Sequence, residues 1–369
     1  MSASWIRKLN ESDSRLHKED VIKQALEACV LGSVNAQRFL GLTKACYNPY
    51  VTFGVRKVPD TVGITKAENP WDDFNTLLKE LAQRGLTGNK AQDAIHAISE
   101  RFDSDEWNNF CAPVIRRDLR AGISDKTINK ICKKTDYEIP IFGCQLATNS
   151  EGRPEMKGIK RLEPKLDGVR ALFMVIPSDD GEVTTICFSR NGKTFDNFYH
   201  IEKQIHENFT KLVRACAGVD QGRSLVNGFV LDGEVIGNSF QELMRQARRK
   251  ENVQAEDSVF NIFDVMPLAD FRRGYWNAQL EKRVEILNGM RSVIDNMPNV
   301  ELLPHIMVDL DTAAGRDQLE RYAKDQVNAG FEGIMIKDTN APYECKRNTF
   351  WMKWKPVITV DLTVVGLEE

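Results

Sequence analysis

The sequence predicts a multidomain protein in which an all-helical N-terminal domain precedes an α+β domain with mainly antiparallel sheets. A length of 369 residues exceeds what one ordinary hydrophobic core holds. The first 140 or so residues carry apolar positions at helical spacing without strand alternation. After Pro140 short β-rich runs appear. We therefore predict a helical domain over 1–140, an α+β domain over 141–358, and a hinge with the first strand of a further domain over 359–369.

The helices of the first domain are predicted from capping residues and apolar spacing. The clearest helix begins after Asn69, a favourable N-cap, and ends before Gly85, which suits the position after the last turn. Its apolar face consists of Trp71, Phe74, Leu78 and Leu81. A second helix is predicted over 91–102, and Ser124 is predicted to cap a third.

The strands of the second domain are predicted from runs of β-branched and aromatic residues. These runs cover 169–176, 183–189, 229–236, 259–265, 333–337, 350–355 and 360–365. Helices are predicted near 198–216, 278–295 and 313–329. Because strands and helices do not alternate regularly, the pattern favours antiparallel sheets over a βαβ fold.

The composition is typical of a globular protein, with 42% hydrophobic and 28% charged residues. The formal net charge is −3, so a nucleic-acid surface must come from local basic clusters. We find no secretory signal and no run approaching the roughly 20 apolar residues of a membrane span. The 8 cysteines are scattered singly, which predicts reduced thiols, a cytoplasmic location and no structural metal.

Five short segments of the second domain combine charged residues with apolar strands. They are 165–170 (KLDGVR), 189–193 (SRNGK), 232–234 (DGE), 332–337 (EGIMIK) and 351–355 (WMKWK). Each segment alone also fits an ordinary strand or turn with a paired or solvated charge. In the last one, alternation predicts Lys353 and Lys355 on one face and the bulky residues on the other. All five in this order predict one shared site.

The residue types in these segments suit phosphate chemistry. Glu234 and Glu332 offer the hard oxygen ligands that divalent metals prefer. The cations that would neutralise a triphosphate are Arg190, Lys353 and Lys355. Lys165 would be the nucleophile. A free lysine amine is protonated at neutral pH, with a pKa of about 10.4. Neighbouring cations and metal must therefore lower that pKa and stabilise charge on the phosphate.

The order of these motifs, together with Phe263-Asp264-Val265, resembles that of the covalent nucleotidyltransferases and, within them, the ATP-dependent DNA ligases. The resemblance covers about residues 75–369. It implies an adenylyltransferase domain of ATP-grasp-like fold, with ATP and Mg²⁺ or Mn²⁺ as cofactors. It also implies three steps. AMP passes from ATP to Lys165 and then to the 5′-phosphate of a nick in duplex DNA, and attack by the 3′-hydroxyl releases it.

The same resemblance implies a role for each matching residue. The roles are the lysyl-AMP bond for Lys165, the adenine amino group for Glu163, the sugar or nick phosphate for Arg170, ribose or 5′-phosphate for Arg190, ribose and metal for Glu234, the catalytic metal for Glu332, and the α-phosphate for Lys353 and Lys355. Phe263 would stack on adenine or serve as a core aromatic, and both interpretations stay open. Asn191 departs from the family pattern, where Ser or Ala is more usual, but leaves Arg190 in place.

A DNA-binding role is predicted for the helical domain from its charge and from two short segments. Between 110 and 134 seven basic residues stand against two acidic ones, an excess of five, although such a cluster also fits a solvated helical face. Segments 84–89 (RGLTGN) and 117–122 (RDLRAG) resemble signatures of the ligase DNA-binding domain. The predicted DNA-binding residues are Arg84, Thr87, Gly88, Asn89, Arg116, Arg117, Arg120 and Gly122. Gly88 and Gly122 would allow close backbone approach to the duplex.

Three further expectations concern the rest of the chain and the competing functions. The basic residues Arg245, Arg248, Arg249 and Lys250 either contact the nicked strand or lie on a surface helix. Residues 360–366 resemble the opening strand of an OB-fold, with Asp361 near the hinge. The resemblance also implies that the OB-fold itself is missing, and the alternatives to a monomeric ligase of nicked DNA are an RNA ligase or capping-type nucleotidyltransferase, and a DNA-binding fragment that is inactive without its OB domain.

Overall fold

The computed structural model describes residues 2–55, 57–62, 70–83, 85–178, 181–237 and 255–356. The chain divides into two compact units, residues 1–141 and 142–369. The division falls within the stretch 135–150, where the sequence pattern changes from apolar residues at helical spacing to β-rich runs. No helix in the described ranges is both long and apolar enough to cross a membrane.

The regular elements described in the first unit are all helical. They are α1 (Ala3–Asn10), α2 (Arg15–Val30), α3 (Val34–Tyr47), α4 (Pro70–Ala82), α5 (Gly88–Ser99), α6 (Ser104–Glu106), a π-helical turn (Trp107–Cys111), α7 (Ala112–Arg116) and α8 (Asp125–Cys132). One apolar cluster joins them, with Phe39, Phe74, Trp107 and Phe110 fully buried at its centre.

Local signals explain where several of these helices begin. The hydroxyl of Ser124 accepts a hydrogen bond from the backbone N–H of Thr127, so the predicted cap of α8 is confirmed. Helix α4 buries Phe74 and Leu78 as predicted. Trp71 is half-buried, and the Arg38 guanidinium lies over its ring, 4.8 Å from the centroid. The predicted cap residue Asn69 lies outside the described residues.

The second unit contains strands and helices in mixed order. Its strands are β1 (Leu146–Asn149), β2 (Ile159–Pro164), β3 (Val169–Pro177), β4 (Val183–Ser189), β5 (Phe229–Ile236), β6 (Val259–Pro267), β7 (Tyr275–Trp276), β8 (Val300–Leu302), β9 (Ile306–Asp309), β10 (Ile334–Asp338), β11 (Tyr343–Glu344) and β12 (Arg347–Trp354). Its helices are α9 (Tyr199–Glu207), α10 (Phe209–Cys216), a 3₁₀ turn (Gly222–Asn227), α11 (Leu268–Arg273), α12 (Leu280–Ile294) and α13 (Ala313–Asn328).

The described strands form two five-stranded sheets and one two-stranded sheet. Sheet A has the order β1-β12-β10-β2-β9, and sheet B has the order β4-β3-β5-β6-β8. Most pairs are antiparallel, as predicted, and the parallel pairs β1–β12 and β6–β8 lie at sheet edges. Helix α13 covers sheet A through a small core that includes Leu162, Ile334 and Met352. The small β7–β11 sheet completes the unit.

Most predicted strands are confirmed to within a few residues, and six described strands were missed, of which β7 and β11 have only two residues each. The missed strands with substantial pairing are β1, β2, β8 and β9. Strand β2 reads as Ile-Lys-Arg-Leu-Glu-Pro, and its polar residues hide its buried position. The helix predicted near 198–216 is two helices, because the chain breaks between α9 and α10 at Asn208. The predicted strand at 360–365 lies outside the described residues.

Candidate active site

The backbone places Lys165 against the acidic segment that precedes β10. The amide of Lys165 donates to the carbonyl of Gly333 at 2.8 Å, and the amide of Glu332 donates to the carbonyl of Lys165 at 3.1 Å. Strand β2 pairs with β10 just beyond this point, with Pro164 opposite Ile334. Two motifs more than 160 residues apart in sequence are thereby joined by their backbones.

Glycines permit the close backbone approaches around this point. Gly333 has a φ of +136°, and a Cβ there would lie 2.2 Å from the carbonyl oxygen of Trp354. A Cβ on Gly168 would lie 2.4 Å from the carbonyl oxygen of Val235. The glycines of the 165–170 and 332–337 motifs are therefore required by neighbouring strands.

A cavity of about 650 Å³ brings the predicted site residues together. Its volume suits a nucleotide-sized ligand, since such sites span about 300–1,000 Å³. The predicted residues that line it are Glu163, Lys165, Arg170, Arg190, Glu234, Phe263, Lys353 and Lys355. Glu332 contacts the cavity indirectly, through its ion pairs with Lys165 and Lys355. The cavity also has walls that were not predicted, among them Lys337, Arg347 and Trp351.

Lys165 and Lys355 share one carboxylate. The Oε2 atom of Glu332 accepts a short hydrogen bond from the Nζ of Lys165 and lies 2.7 Å from the Nζ of Lys355. Burial opposes the charge of Glu332, but the hydrogen bonds from both lysines outweigh it and lower its pKa. The Lys165 amine is therefore held by the shared carboxylate and is not free in this structure.

Two further acids near Lys165 have raised pKa values. Burial raises the pKa of Glu234 to about 7, although Arg170 and Lys165 act against it. Partial burial raises the pKa of Asp167, and the neighbouring Glu332 adds to the shift. A cation bound beside these carboxyl groups would stabilise their ionised forms.

The donor set fits a divalent cation that binds together with phosphate. Within the described ranges, no group of three or more His, Cys, Asp or Glu side chains is arranged to hold a metal ion. Mg²⁺ at nucleotide sites usually takes one or two carboxylates and completes its shell with phosphate oxygens and water. Glu234 and Glu332 supply two carboxylates beside Lys165. Their number and position fit such an ion, provided that a triphosphate supplies the remaining ligands.

Arg170 lines the cavity and is also bound by groups of the protein itself. Its guanidinium donates two hydrogen bonds of 2.6 Å to the carboxylate of Asp232, which lies in the middle of β5. Tyr343 donates to the same carboxylate at 2.6 Å. Burial disfavours the charge of Arg170, but Asp232 outweighs it and raises the pKa of the guanidinium. The side chain is therefore held in place from inside the protein, and its contact with a sugar or a nick phosphate stays a prediction.

Aromatic rings and cations alternate in the cavity wall. The Arg170 guanidinium lies 4.6 Å from the ring centroid of Phe263, and the Lys337 ammonium lies 4.3 Å from it. Trp351 packs edge to face against Phe263. Phe263 is 7% exposed and reaches the cavity, so its ring is both a core aromatic and a wall of the site.

The position of Trp351 corrects the prediction for the 351–355 motif. Trp351 was expected on the face opposite the two lysines, but it lines the cavity with Lys353 and Lys355. The reason is the two-residue period of a strand, which puts 351, 353 and 355 on one face. Met352 and Trp354 take the other face and pack in the core beneath α13.

Glu163 lies at the end of the cavity near Phe263. Its carboxylate is fully buried and forms ion pairs with Arg161 at 2.6 Å and with Lys337 at 2.7 Å. Arg161 and Lys337 were not among the predicted site residues. The sequence signal was their position, two residues before Glu163 and at the end of the 332–337 motif.

The predicted DNA-binding residues of the helical unit fall into two groups. Thr87, Gly88, Asn89, Arg120 and Gly122 are exposed, and Gly88 and Gly122 have φ values of +54° and +58°. In contrast, Arg116 donates to the carbonyl of Val58, and Arg117 donates to the carbonyls of Cys46 and Asn48. These internal hydrogen bonds give Arg116 and Arg117 a structural role that the basic cluster did not reveal.

Several predicted residues lie outside the described ranges. They are Arg84, the basic cluster Arg245, Arg248, Arg249 and Lys250, and Asp361 with the hinge segment 359–369.

Comparison with known proteins places the chain among ligase sequences. Residues 144–355 match the family described as "ATP dependent DNA ligase domain". The DNA ligase of Haloferax volcanii is 30% identical over 294 residues, which are 76% of this chain and 44% of the relative. DNA ligase 2 of Methanosarcina acetivorans is 31% identical over 221 residues, which are 58% of this chain and 35% of the relative. The chain thus spans less than half the length of these curated relatives.

A solved structure extends the likeness to the whole chain. The structure of Pmar-Lig_PreS3 has 38% sequence identity and a TM-score of 0.56, and the match covers 96% of this chain and 78% of that one. The family match covers more than half of the chain and includes the five charged motifs from Lys165 to Lys355. The chain therefore belongs to the ATP-dependent DNA ligase domain family.

Proposed function

We propose that this protein is an ATP-dependent DNA ligase that seals nicks in duplex DNA through a lysyl-AMP intermediate at Lys165. The observation that carries the proposal is the ion pair of Lys165 with Glu332 at a cavity of about 650 Å³. Lys353, Lys355 and Arg190 line the same cavity and supply positive charge for a triphosphate. A nucleophile, a phosphate-binding surface and an aromatic wall therefore meet in one place.

In the first step, the side chains orient ATP for attack by Lys165. Opening of the ion pair with Glu332 and loss of a proton would expose the Nζ lone pair. The Nζ–P bond then forms at the α-phosphate, while the bond from that phosphorus to the pyrophosphate oxygen breaks. A divalent metal held by Glu234 and Glu332 would supply charge stabilisation for the phosphates. Lys355, released from Glu332 at the same moment, would turn to the α-phosphate.

The base of ATP would lie at the opposite end of the cavity. Phe263 would stack on adenine, and Glu163 would accept a hydrogen bond from its amino group. Phe263 lines this end, and the Glu163 carboxylate is buried beside it. Arg190 is exposed at the rim, where it would bind ribose or the 5′-phosphate of the nick. Arg170 would support this end from beneath, because it contacts Phe263 and Trp351.

The later steps require a nicked duplex. AMP would pass from Lys165 to the 5′-phosphate, and the 3′-hydroxyl would then attack that phosphate and release AMP. We assign duplex binding to residues 1–140 and adenylation to residues 141–358. The exposed Thr87, Asn89 and Arg120 and the left-handed glycines Gly88 and Gly122 offer polar groups and backbone for phosphate contacts. We further propose that the protein acts as a monomer in the cytoplasm, where its eight free thiols would stay reduced.

Intact mass tests the first step. The purified chain is first treated with pyrophosphate to remove bound AMP and is then incubated with ATP and Mg²⁺. We expect a mass gain of one AMP that Lys165→Ala abolishes and that GTP does not produce. A gain with GTP would favour a capping-type guanylyltransferase. No gain with any nucleotide, while the chain still binds nicked duplex, would favour the inactive DNA-binding module.

A substrate comparison tests the later steps. Nicked duplex DNA and a nicked RNA duplex are offered to the adenylated protein, and AMP transfer to the 5′-phosphate is followed by gel. We expect transfer to DNA. Transfer to RNA alone would identify an RNA ligase and contradict the proposal.

A further inference from the structure

Glu163 sits in a buried cluster with more positive than negative charge. Its carboxylate is fully buried, and Arg161 and Lys337 are 3% and 1% exposed. Both cations form ion pairs with it, Arg161 with Oε1 at 2.6 Å and Lys337 with Oε2 at 2.7 Å. His305 lies near enough to affect the same charges. Two cations thus surround one carboxylate in a place where unpaired charge is strongly disfavoured.

The strand register makes this arrangement specific. Arg161 lies directly opposite Lys337 in the β2–β10 pair, and Glu163 lies opposite Met335. Two like charges in directly opposed positions repel each other. The arrangement therefore depends on Glu163, whose two oxygens each hold one cation.

The two cations differ in what else holds them. The Lys337 ammonium lies over two aromatic rings, 4.3 Å from the centroid of Phe263 and 4.0 Å from that of Trp351, and lines the cavity. Arg161 is not among the residues that line the cavity, and its guanidinium forms an ion pair with Glu163. Arg161 is therefore placed to influence a nucleotide through Glu163, which lines the cavity.

A carboxylate anchored by one oxygen can rotate about its Cγ–Cδ bond, whereas two anchors on two oxygens fix its plane. With Arg161 absent, both oxygens of Glu163 could turn towards Lys337. The carboxylate would then present a poorer acceptor to the cavity.

We propose that Arg161 is a positioning residue that orients the carboxylate of Glu163 towards the base of the nucleotide. In this role, it makes the cavity selective for a purine with an amino group at position 6. The proposal rests on the proposed function in one respect only, namely that the cavity takes an adenine nucleotide. It concerns binding and requires no chemical step.

Two nucleotides that differ only in that amino group provide the test. Dissociation constants of AMP and purine riboside 5′-monophosphate are measured by titration calorimetry for the wild type and for Arg161→Gln. Hydrogen bonds to charged groups contribute about 1.5–3 kcal/mol, so the wild type should prefer AMP by roughly 10-fold to 100-fold. In Arg161→Gln we expect this preference to fall to within about 3-fold. If Arg161 served packing alone, its replacement would weaken the binding of both nucleotides alike and leave the ratio of their dissociation constants unchanged. That result would overturn the proposal.

Lys160→Gln is the matched control. Lys160 is also a buried cation of β2, paired with Asp338 at 2.7 Å, but it points to the opposite face of the strand. We expect it to keep the wild-type preference for AMP even if it lowers stability. A loss of preference in this variant as large as that in Arg161→Gln would also overturn the proposal.

Two precautions keep the test decisive. If Arg161→Gln does not fold, Arg161→Lys is used, because lysine keeps the charge but offers a single-point donor. We expect this variant to prefer AMP, but less strongly than the wild type does. An unchanged preference in this variant counts against the proposal. The test measures binding, so a chain that never forms lysyl-AMP can still discriminate between the two nucleotides. Failure of the proposed reaction is therefore distinguishable from failure of the orienting role. A wild type that binds both nucleotides equally refutes the orienting role.

Discussion

Replacement of Arg283 by methionine should destabilise the second unit by several kcal/mol. Arg283 and Asp264 are both fully buried and form two hydrogen bonds of 2.7 and 2.9 Å. Arg283 also donates to the carbonyls of Ala278 at 2.5 Å and Ala341 at 3.0 Å. The guanidinium thus joins β6, α12 and the segment that precedes β11, immediately behind Phe263.

The expected magnitude has two parts. Removal of one partner of a buried pair costs about 3–5 kcal/mol, because the other charge is left uncompensated. A carboxyl group can escape this cost by taking up a proton, which for an ordinary aspartate requires about 4 kcal/mol at pH 7. The two carbonyls that lose their donor add about 1 kcal/mol each. We therefore expect Arg283→Met to lose about 5–7 kcal/mol at pH 7.

The pH dependence identifies the cause. In the variant, protonation of the buried carboxyl favours the folded state, so the loss becomes smaller as the pH falls. The difference in unfolding free energy between wild type and Arg283→Met should shrink by up to about 1.4 kcal/mol per pH unit, from pH 7 down to the pH of about 4 at which a free carboxyl group titrates. The double variant Asp264→Leu/Arg283→Met removes the unpaired charge and should lose only about 2 kcal/mol.

Pulse proteolysis across a urea series measures these free energies, with fragments from residues 142–356 quantified by mass spectrometry. Arg291→Met, an exposed arginine on the same helix α12, is the control and should change stability by less than about 0.5 kcal/mol. The reasoning is refuted if Arg283→Met loses less than about 1 kcal/mol, or if its loss is the same at pH 5 and pH 7.

Three further predictions follow from the geometry. Gly168→Ala places a Cβ 2.4 Å from a carbonyl of β5 and should lower stability by about 1–3 kcal/mol in urea unfolding, whereas Gly218→Ala has open space and should be neutral. Arg117→Ala should destabilise the helical unit by about 1–3 kcal/mol, because two backbone carbonyls lose their donor. Arg120→Ala should leave stability unchanged but reduce the salt slope of nicked-duplex binding, measured by fluorescence anisotropy, by about 1. A salt slope equal to that of the wild type would contradict the DNA-binding assignment of Arg120. Burial lowers the pKa of His305, so the folded state favours the neutral imidazole. The stability of the wild type should therefore fall more steeply than that of His305→Gln as the pH drops below about 6.5. Equal slopes of stability against pH for the two proteins would rule this out.

Sequence reasoning located the site because its motifs lie at strand ends, where charge and apolar runs meet. Lys165, Glu234, Lys353 and Lys355 all reach one cavity as expected. Strand β2 escaped recognition, because Lys160 and Arg161 read as solvent-facing residues. Their burial depends on Asp338 and Glu163. Such compensation depends on pairing between strands remote in sequence, which local periodicity does not reveal.

The roles of arginines were the least predictable part. Arg117 and Arg170 stand in motifs typical of phosphate contacts, yet one binds backbone carbonyls and the other binds Asp232. A guanidinium offers five donors, and the sequence does not show whether the nearest acceptors belong to the protein or to a ligand. Asp232 was recognised as an acid within a buried strand, but its pairing with Arg170 arises only from the β3–β5 register.

The strand order of sheet A has a consequence for biosynthesis. Its central strands β2, β10 and β12 come from opposite ends of the unit, and sheet B lies between them in sequence. Lys165 and Glu332 are 167 residues apart, so a ribosome adds the lysine long before its carboxylate. Until β10 and β12 have been added, the nascent unit has a lysine but no cavity around it. The cavity around Lys165 is therefore completed only late in synthesis, when the last strands of sheet A have been added.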